Sequence, residues 1–154
     1  MFTNFENMPA QPEKDIRFFY LSKNITLRNR KKLKHFLNDL LRMEKMKLGH
    51  INFIFCSDQY LRSINRKYLQ HDYYTDIITF DLSETKKVIE AEIYISSDRV
   101  CYNSSRIGTT FKEEIHRVIF HGLLHLCGYG DKSQKQREVM TYKEDYYLKI
   151  YRGN

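Results

Sequence analysis

Eleven residues, HGLLHLCGYGD at 121–131, constrain this chain more than any other stretch. On a helix, residues four apart share a face with Cβ atoms about 5 to 6 Å apart, so the imidazoles of His121 and His125 can converge on one ion. Gly128 and Gly130 give the backbone freedom to turn back sharply, which makes the Asp131 carboxylate available as a third ligand. Two imidazoles and a carboxylate with no obvious fourth side chain leave a coordination position for water. That is the arrangement of a catalytic rather than a structural zinc site. The same donors suit nickel, iron or manganese. The alternative is a pair of partly buried, hydrogen-bonded imidazoles among Leu123, Leu124 and Leu126, which the glycine turn and the acid at its end disfavour. Cys127 points about 200° around the helix from His125 and reads as structural.

In H-E-x-x-H metallopeptidases the residue after the first histidine is the glutamate that takes a proton from water. Here it is Gly122, so a peptidase loses its base. Glu114 falls on the same helical face but about 10 Å away along the axis, too far for direct proton transfer. It reads as a supporting or structural carboxylate.

Segments 15–21 (DIRFFYL) and 49–57 (GHINFIFCS) are short, β-branched and aromatic, and predict strands; 71–82 (HDYYTDIITFDL) and 90–96 (EAEIYIS) predict two more. Between the first two, Leu33, Phe36, Leu37, Leu40 and Leu41 follow helical spacing. Ser57 or Asp58 caps a second helix running to about Tyr68, and Ser97 starts a short one that stops near Gly108. Thr110 and Glu113 form a capping box for a helix over about 111–127, ended by Gly128. Ser133 and Gln136 repeat that signal for the last helix, whose Val139, Met140, Tyr146, Tyr147 and Ile150 are expected to pack on the core. With 154 residues, no internal repeat and no Pro or Gly-rich linker, the chain reads as one domain, 1–154. Its expected class is α+β: a small four-stranded mixed sheet packed with about five helices.

Lys and Arg number 26 against 19 Asp and Glu, a balance that favours a polyanionic partner, although basic globular proteins without one are common. Arg28, Arg30, Lys31, Lys32, Lys34 and Arg42 surround the first helix's apolar stripe. They form either an RNA-facing surface or, more commonly, a solvated face. No stretch approaches the run of about 18 apolar residues that a membrane span needs. The opening MFTNFENMPAQPEKD has no basic start followed by an apolar block. A soluble, cytoplasmic protein without membrane partners is expected. Cys56, Cys101 and Cys127 show no C-x-x-C spacing and are expected as buried reduced thiols.

HGLLHLCGYGD resembles the H-G-x-L-H-L-x-G-Y-D-H signature of the YbeY family of bacterial endoribonucleases. INRKYLQHDYYTDIITF (64–80) resembles that family's L-N-x-x-Y-R-x-x-D-x-P-T-D-V-L-S-F stretch, and AEIYIS takes the place of its G-D-I-x-I strand. The resemblance covers most of the chain from about Gly49 onward. It implies a metalloprotease-like α+β fold with a zincin-like active-site helix and one Zn2+ per chain. It further implies single-strand-specific cleavage in ribosomal RNA maturation, at the 3′ end of 16S RNA, and a part in ribosome quality control. Single-stranded and ribosomal RNA, with small-subunit proteins, are the implied partners; DNA is not.

Carried over by position, the family's three metal-binding histidines fall on His121, His125 and Asp131. The third is therefore an acid here, whose negative charge is expected to make a bound water less acidic than three imidazoles would. The family's phosphate-binding arginine after the tyrosine of L-N-x-x-Y-R is Leu69 in this chain, which leaves Arg66 and Lys67 as the nearest cations for substrate. Tyr74 replaces the family's proline. Tyr68, Tyr73, Tyr74 and Tyr129 are candidates to stack exposed bases at about 1 to 3 kcal/mol each, or are amphipathic residues at the edge of the core. The leading expectation is a metal-dependent endoribonuclease. The alternative is a non-catalytic ribosome-assembly factor that binds RNA or protein and whose metal is structural.

Overall fold

Alternating apolar residues build the sheet. In a computed structural model that describes residues 14–153, β1 (Asp15–Tyr20), β2 (Lys47–Cys56), β3 (Ile77–Asp81) and β4 (Val88–Ser96) lie in the order β1-β2-β4-β3. β1, β2 and β4 are parallel, and β3 runs antiparallel to β4, pairing Ile77 with Ile95 and Asp81 with Ala91. The sheet is thus four-stranded and mixed, as the sequence predicts. The opening stretch read above for a secretion signal lies outside the described residues up to Glu13.

Because side chains alternate across a strand, the two faces of the sheet carry different cores. Ile51, Phe53 and Phe55 of β2 and Ile89, Ala91, Ile93 and Ile95 of β4 face α1 (Arg30–Met43) and α4 (Phe111–Leu126), and α5 (Gln134–Arg152) packs on α4. Leu33, Leu37, Leu40 and Leu41 of α1 meet them with no exposed surface. Each such side chain contributes about 1.5 to 3 kcal/mol of burial. Cys56, Ile78 and Phe80 face the other way, onto Leu61 and Ile64 of α2 (Asp58–Leu69). α3 (Ser97–Ile107) follows β4 directly and adds Val100 to the larger core.

Several local expectations are corrected. The third strand begins at Ile77 rather than at His71, because the buried Asn65 Nδ2 donates to the Tyr73 carbonyl at 3.1 Å and holds 71–76 as a loop. α3 does start at Ser97, as expected, with Ser96 as its cap accepting from the Arg99 amide. The Thr110 box is only half formed. Its hydroxyl accepts from the Glu113 amide at 3.1 Å, but the Glu113 carboxylate turns to Thr109 Oγ1 at 2.7 Å and Arg152 at 2.6 Å. The Ser133 box is complete. On α5, Met140 and Tyr147 are buried as expected, whereas Val139, Tyr146 and Ile150 are exposed; the inward stripe is Met140, Glu144, Tyr147, Leu148 and Tyr151. Cys56 is buried and Cys127 partly so, but Cys101 is exposed; all three are free. Among the described residues no helix is long and apolar enough to cross a membrane.

Candidate metal centre

α4 delivers both histidines from its last turns, and their rings meet edge to face with centroids 4.4 Å apart. The helix stops because Gly128 takes φ 105°, a value that L side chains rarely adopt, while the Gly128 and Tyr129 amides donate to the His125 and Leu124 carbonyls. Gly130 is not in that region. Its requirement is space, since a Cβ there would come within 2.9 Å of the Gln136 amide, which the capping box holds against the Lys132 and Ser133 amides. The turn carries Asp131 back over the helix. Asp131 Oδ2 lies 3.6 Å from His121 Nε2 and 3.2 Å from His125 Nε2, and one donor atom from each residue falls within 4.8 Å of the others.

The far side of each ring fixes what the near side offers. His125 Nδ1 lies 2.8 Å from the Tyr129 carbonyl, which can only accept, so Nδ1 carries the hydrogen. His121 Nδ1 lies 2.8 Å from Glu144 Oε2 in the same relation. In the neutral rings both Nε2 lone pairs then face a carboxylate oxygen. That grouping holds together only with positive charge among the three atoms, either extra ring protons or a metal ion. Zinc bonded at about 2.0 to 2.1 Å in a tetrahedron separates neighbouring donors by about 3.3 Å, close to the two distances above. The residues therefore fit a divalent ion. Burial opposes protonation of His121, yet Glu144, Asp76 and Asp131 outweigh it and raise its pKa above the ordinary value. Cys127 is not among the converging donors, and burial pushes its thiol up to about 12.

Glu144 is the functional residue that the motif does not reveal. It comes from α5, is buried, and has its other oxygen held by Arg117 Nη1 at 3.2 Å, while Arg117 also pairs with Asp145 at 2.6 Å. The signal that finds it is its place on α5's inward stripe, where a charge needs a partner. A second support is Glu44, at the C-terminal end of α1. It accepts from Tyr129 Oη at 2.7 Å, from Lys143 Nζ at 3.0 Å and from Tyr147 Oη. Burial would raise the Glu44 carboxyl, but these donors hold it below the usual range. Glu114 is buried and raised by that burial, and its carboxylate is not one of the converging donors.

The donors lie in a cleft of about 700 Å³, lined also by Asn65, Leu69, Tyr73, Asp76, Thr79 and Lys132. Arg66 and Lys67 are exposed on the last turn of α2 and are not among its lining residues; Lys132 is the cleft's cation. Of the four tyrosines, only Tyr73 lines the cleft. Tyr74 is held between the Arg62 and Arg99 guanidiniums, Tyr68 packs edge-on to Phe80, and Tyr129 points to Glu44. Gly122 faces the sheet, where a Cβ would come within 2.8 Å of Ile77 Cδ1. The position of the peptidase glutamate is therefore a packing position in this chain.

Two imidazoles and a carboxylate thus gather at the end of a helix beside the mixed sheet of an α+β domain, a donor set able to hold a metal ion. Residues 19–152 match the family described as Endoribonuclease YbeY, and the chain belongs to that family. It is 49% identical over 138 residues to the Endoribonuclease YbeY of Cytophaga hutchinsonii, covering 90% of this chain and 96% of that one. It is 41% identical over 137 residues to the protein of the same name from Amoebophilus asiaticus, covering 89% and 93%. A Thermotoga maritima protein solved in solution superposes with a TM-score of 0.63 at 30% identity over 90% of each chain.

Proposed function

We propose that this protein is a metal-dependent endoribonuclease that cuts single-stranded RNA in ribosomal RNA maturation, at the 3′ end of 16S RNA, and in ribosome quality control. The observation that carries the reading is the convergence of His121 Nε2, His125 Nε2 and Asp131 Oδ2 in the open cleft of a chain whose named relatives are endoribonucleases. These three residues would hold the ion, with zinc the best match to the donors. A bound divalent ion supplies neutralising charge at the scissile phosphate and lowers the pKa of water. Glu144 and the Tyr129 carbonyl keep the ring hydrogens on Nδ1, so that both Nε2 atoms stay available as donors. Lys132 offers charge to the phosphate at the rim, and Tyr73 a face for a base. Arg66 and Lys67 would meet phosphates outside the cleft. Asp76 also lines the cleft, and burial raises its carboxyl above the ordinary range.

One observation favours the second reading, a non-catalytic assembly factor binding RNA or small-subunit proteins around a structural metal: the cleft has Lys132 as its lone cation among the described residues. A single experiment separates them. Purified protein with its metal content measured is given the same RNA sequence in single-stranded and duplex form. Cleavage of the single strand that falls at least a hundredfold in His121→Ala, with RNA affinity retained, supports the nuclease. Binding without cleavage by the metal-loaded protein supports the assembly factor.

A further inference from the structure

The N-terminal ends of α1 and α4 and the C-terminal end of α5 border a second cavity, of about 410 Å³, which shares no lining residue with the metal cleft. Arg28, Lys32 and Lys112 line it and no carboxylate does; Phe111 supplies its partly exposed aromatic surface, while Tyr151 is buried with Lys32 Nζ 4.7 Å over its ring. Among the described residues none of these three cations is in an ion pair, whereas Arg62, Arg99, Arg117 and Arg152 each are. α1 begins at Asn29, which gives no side-chain cap, and its first turn holds no acid. The first amides of α1 and the positive end of its dipole thus sit beside like charge, an arrangement that an anion relieves.

His116 supplies an independent sign of a ligand. It lines the cavity and is only 7% exposed, and no described protein group hydrogen-bonds its ring, which packs against Phe120 and Tyr151. Burial, with Lys112, Arg152 and Lys32 nearby, pushes it down to about 4, so at neutral pH the ring offers one donor and one acceptor. A second basic hollow, lined by Phe18, Arg30, Lys31 and Lys34, adjoins the cavity and shares Leu27, Arg28 and Asn29 with it. That continuity suits a chain of phosphates better than a single small anion.

We propose that this cavity is a second nucleic-acid site, distinct from the cleavage cleft. It takes one nucleotide of an RNA strand, with the phosphate against the α1 N-terminus, Arg28, Lys32 and Lys112, the base against the partly exposed Phe111, and His116 as a hydrogen-bonding partner. The strand continues along Arg30, Lys31 and Lys34. Only the identity of the strand rests on the function proposed above; the binding does not.

The test follows the His116 imidazole by NMR in the full, metal-loaded chain as adenosine 5′-monophosphate is added. The expected result is a saturable shift, with the His116 titration midpoint moving up by about one unit, and loss of both in a Lys32→Gln, Lys112→Gln variant. In filter binding on ice, that variant should hold single-stranded RNA about tenfold more weakly, with a salt dependence shallower by about 1.4 in log–log slope. Its thermal melt and metal content should be unchanged. His116 unmoved by millimolar nucleotide, adenosine or inorganic phosphate alone reproducing the shift, or a polyglutamate peptide of equal charge binding as tightly as RNA would each overturn the proposal. RNA bound at this cavity but never cut would sink the nuclease reading and leave this one standing. RNA cut with no dependence on Lys32 and Lys112 would do the reverse.

Discussion

At the scale of single residues, the proposed metal centre depends on groups outside its three donors. Glu144 sets the tautomer of His121 and Arg117 sets Glu144, so the ring is oriented by a chain that ends in an ion pair with Asp145. Glu144→Gln keeps the size and removes the charge. Metal affinity should fall about 10 to 100-fold, read by competition with a fluorescent chelator. The pH dependence has a definite sign. A protonated His121 excludes metal, and its pKa is raised, so binding weakens as pH falls through a midpoint above the ordinary histidine value. The variant should move that midpoint downward; an affinity and midpoint equal to wild type would remove Glu144 from the site. Gly122 is the residue-scale counterpart in the packing. Gly122→Ala pushes a methyl onto Ile77 and should cost about 1 to 3 kcal/mol in urea unfolding, with the metal site merely shifted rather than stripped of a donor.

At the scale of elements, the metal turn between α4 and α5 is braced from a third helix. Glu44 at the end of α1 receives Tyr129 from the turn and Tyr147 and Lys143 from α5, so three segments share one partly buried carboxylate. Glu44→Gln should lower stability by about 2 kcal/mol, since each bond to a charged acceptor is worth about 1.5 to 3 kcal/mol and an amide replaces only part of them. Hydrogen exchange should then quicken at 127–133 while β2 and β4 stay protected; uniform loss of protection would mean that Glu44 supports the whole core and not the turn. These braces explain what the sequence did and did not disclose. Helix phase, the glycine turn and the capping serines are local, and they made the convergence of His121, His125 and Asp131, the five helices and the mixed sheet readable. Glu144 and Glu44 act across 23 and 85 residues of chain, to His121 and Tyr129, and no local period records such a pairing. Asn65 misled for the same reason. Its bond to the Tyr73 carbonyl turns a β-rich sequence into a loop, which propensity alone cannot show.

At the scale of the whole molecule, the chain separates two kinds of polar chemistry along one helix. The end of α4 gathers acceptors around the ion site, and its start, with α1, gathers cations around a neutral buried histidine. His116 therefore couples global stability to pH. Its folded pKa of about 4 lies below the ordinary value of 6.5, so between those limits the unfolded chain binds more protons than the native one. Its stabilising contribution is complete above about pH 6.5, is lost as pH falls toward 4, and is level below that. The interval corresponds to about 3 kcal/mol. Raised carboxyls at Asp76 and Glu114 and lowered ones at Glu44 and Glu113 titrate in the same region with mixed signs, so the wild-type curve alone does not isolate the effect. His116→Phe isolates it, because the ring keeps its packing on Phe120 and Tyr151 without a titrating group. Urea unfolding of both proteins from pH 7 to pH 4 should give curves that converge at neutral pH apart from a constant offset and diverge by about 3 kcal/mol on acidification, with the variant the less sensitive. Parallel curves would show that His116 keeps an ordinary pKa in the fold, and with it that the basic cavity beside it is open to water rather than enclosed.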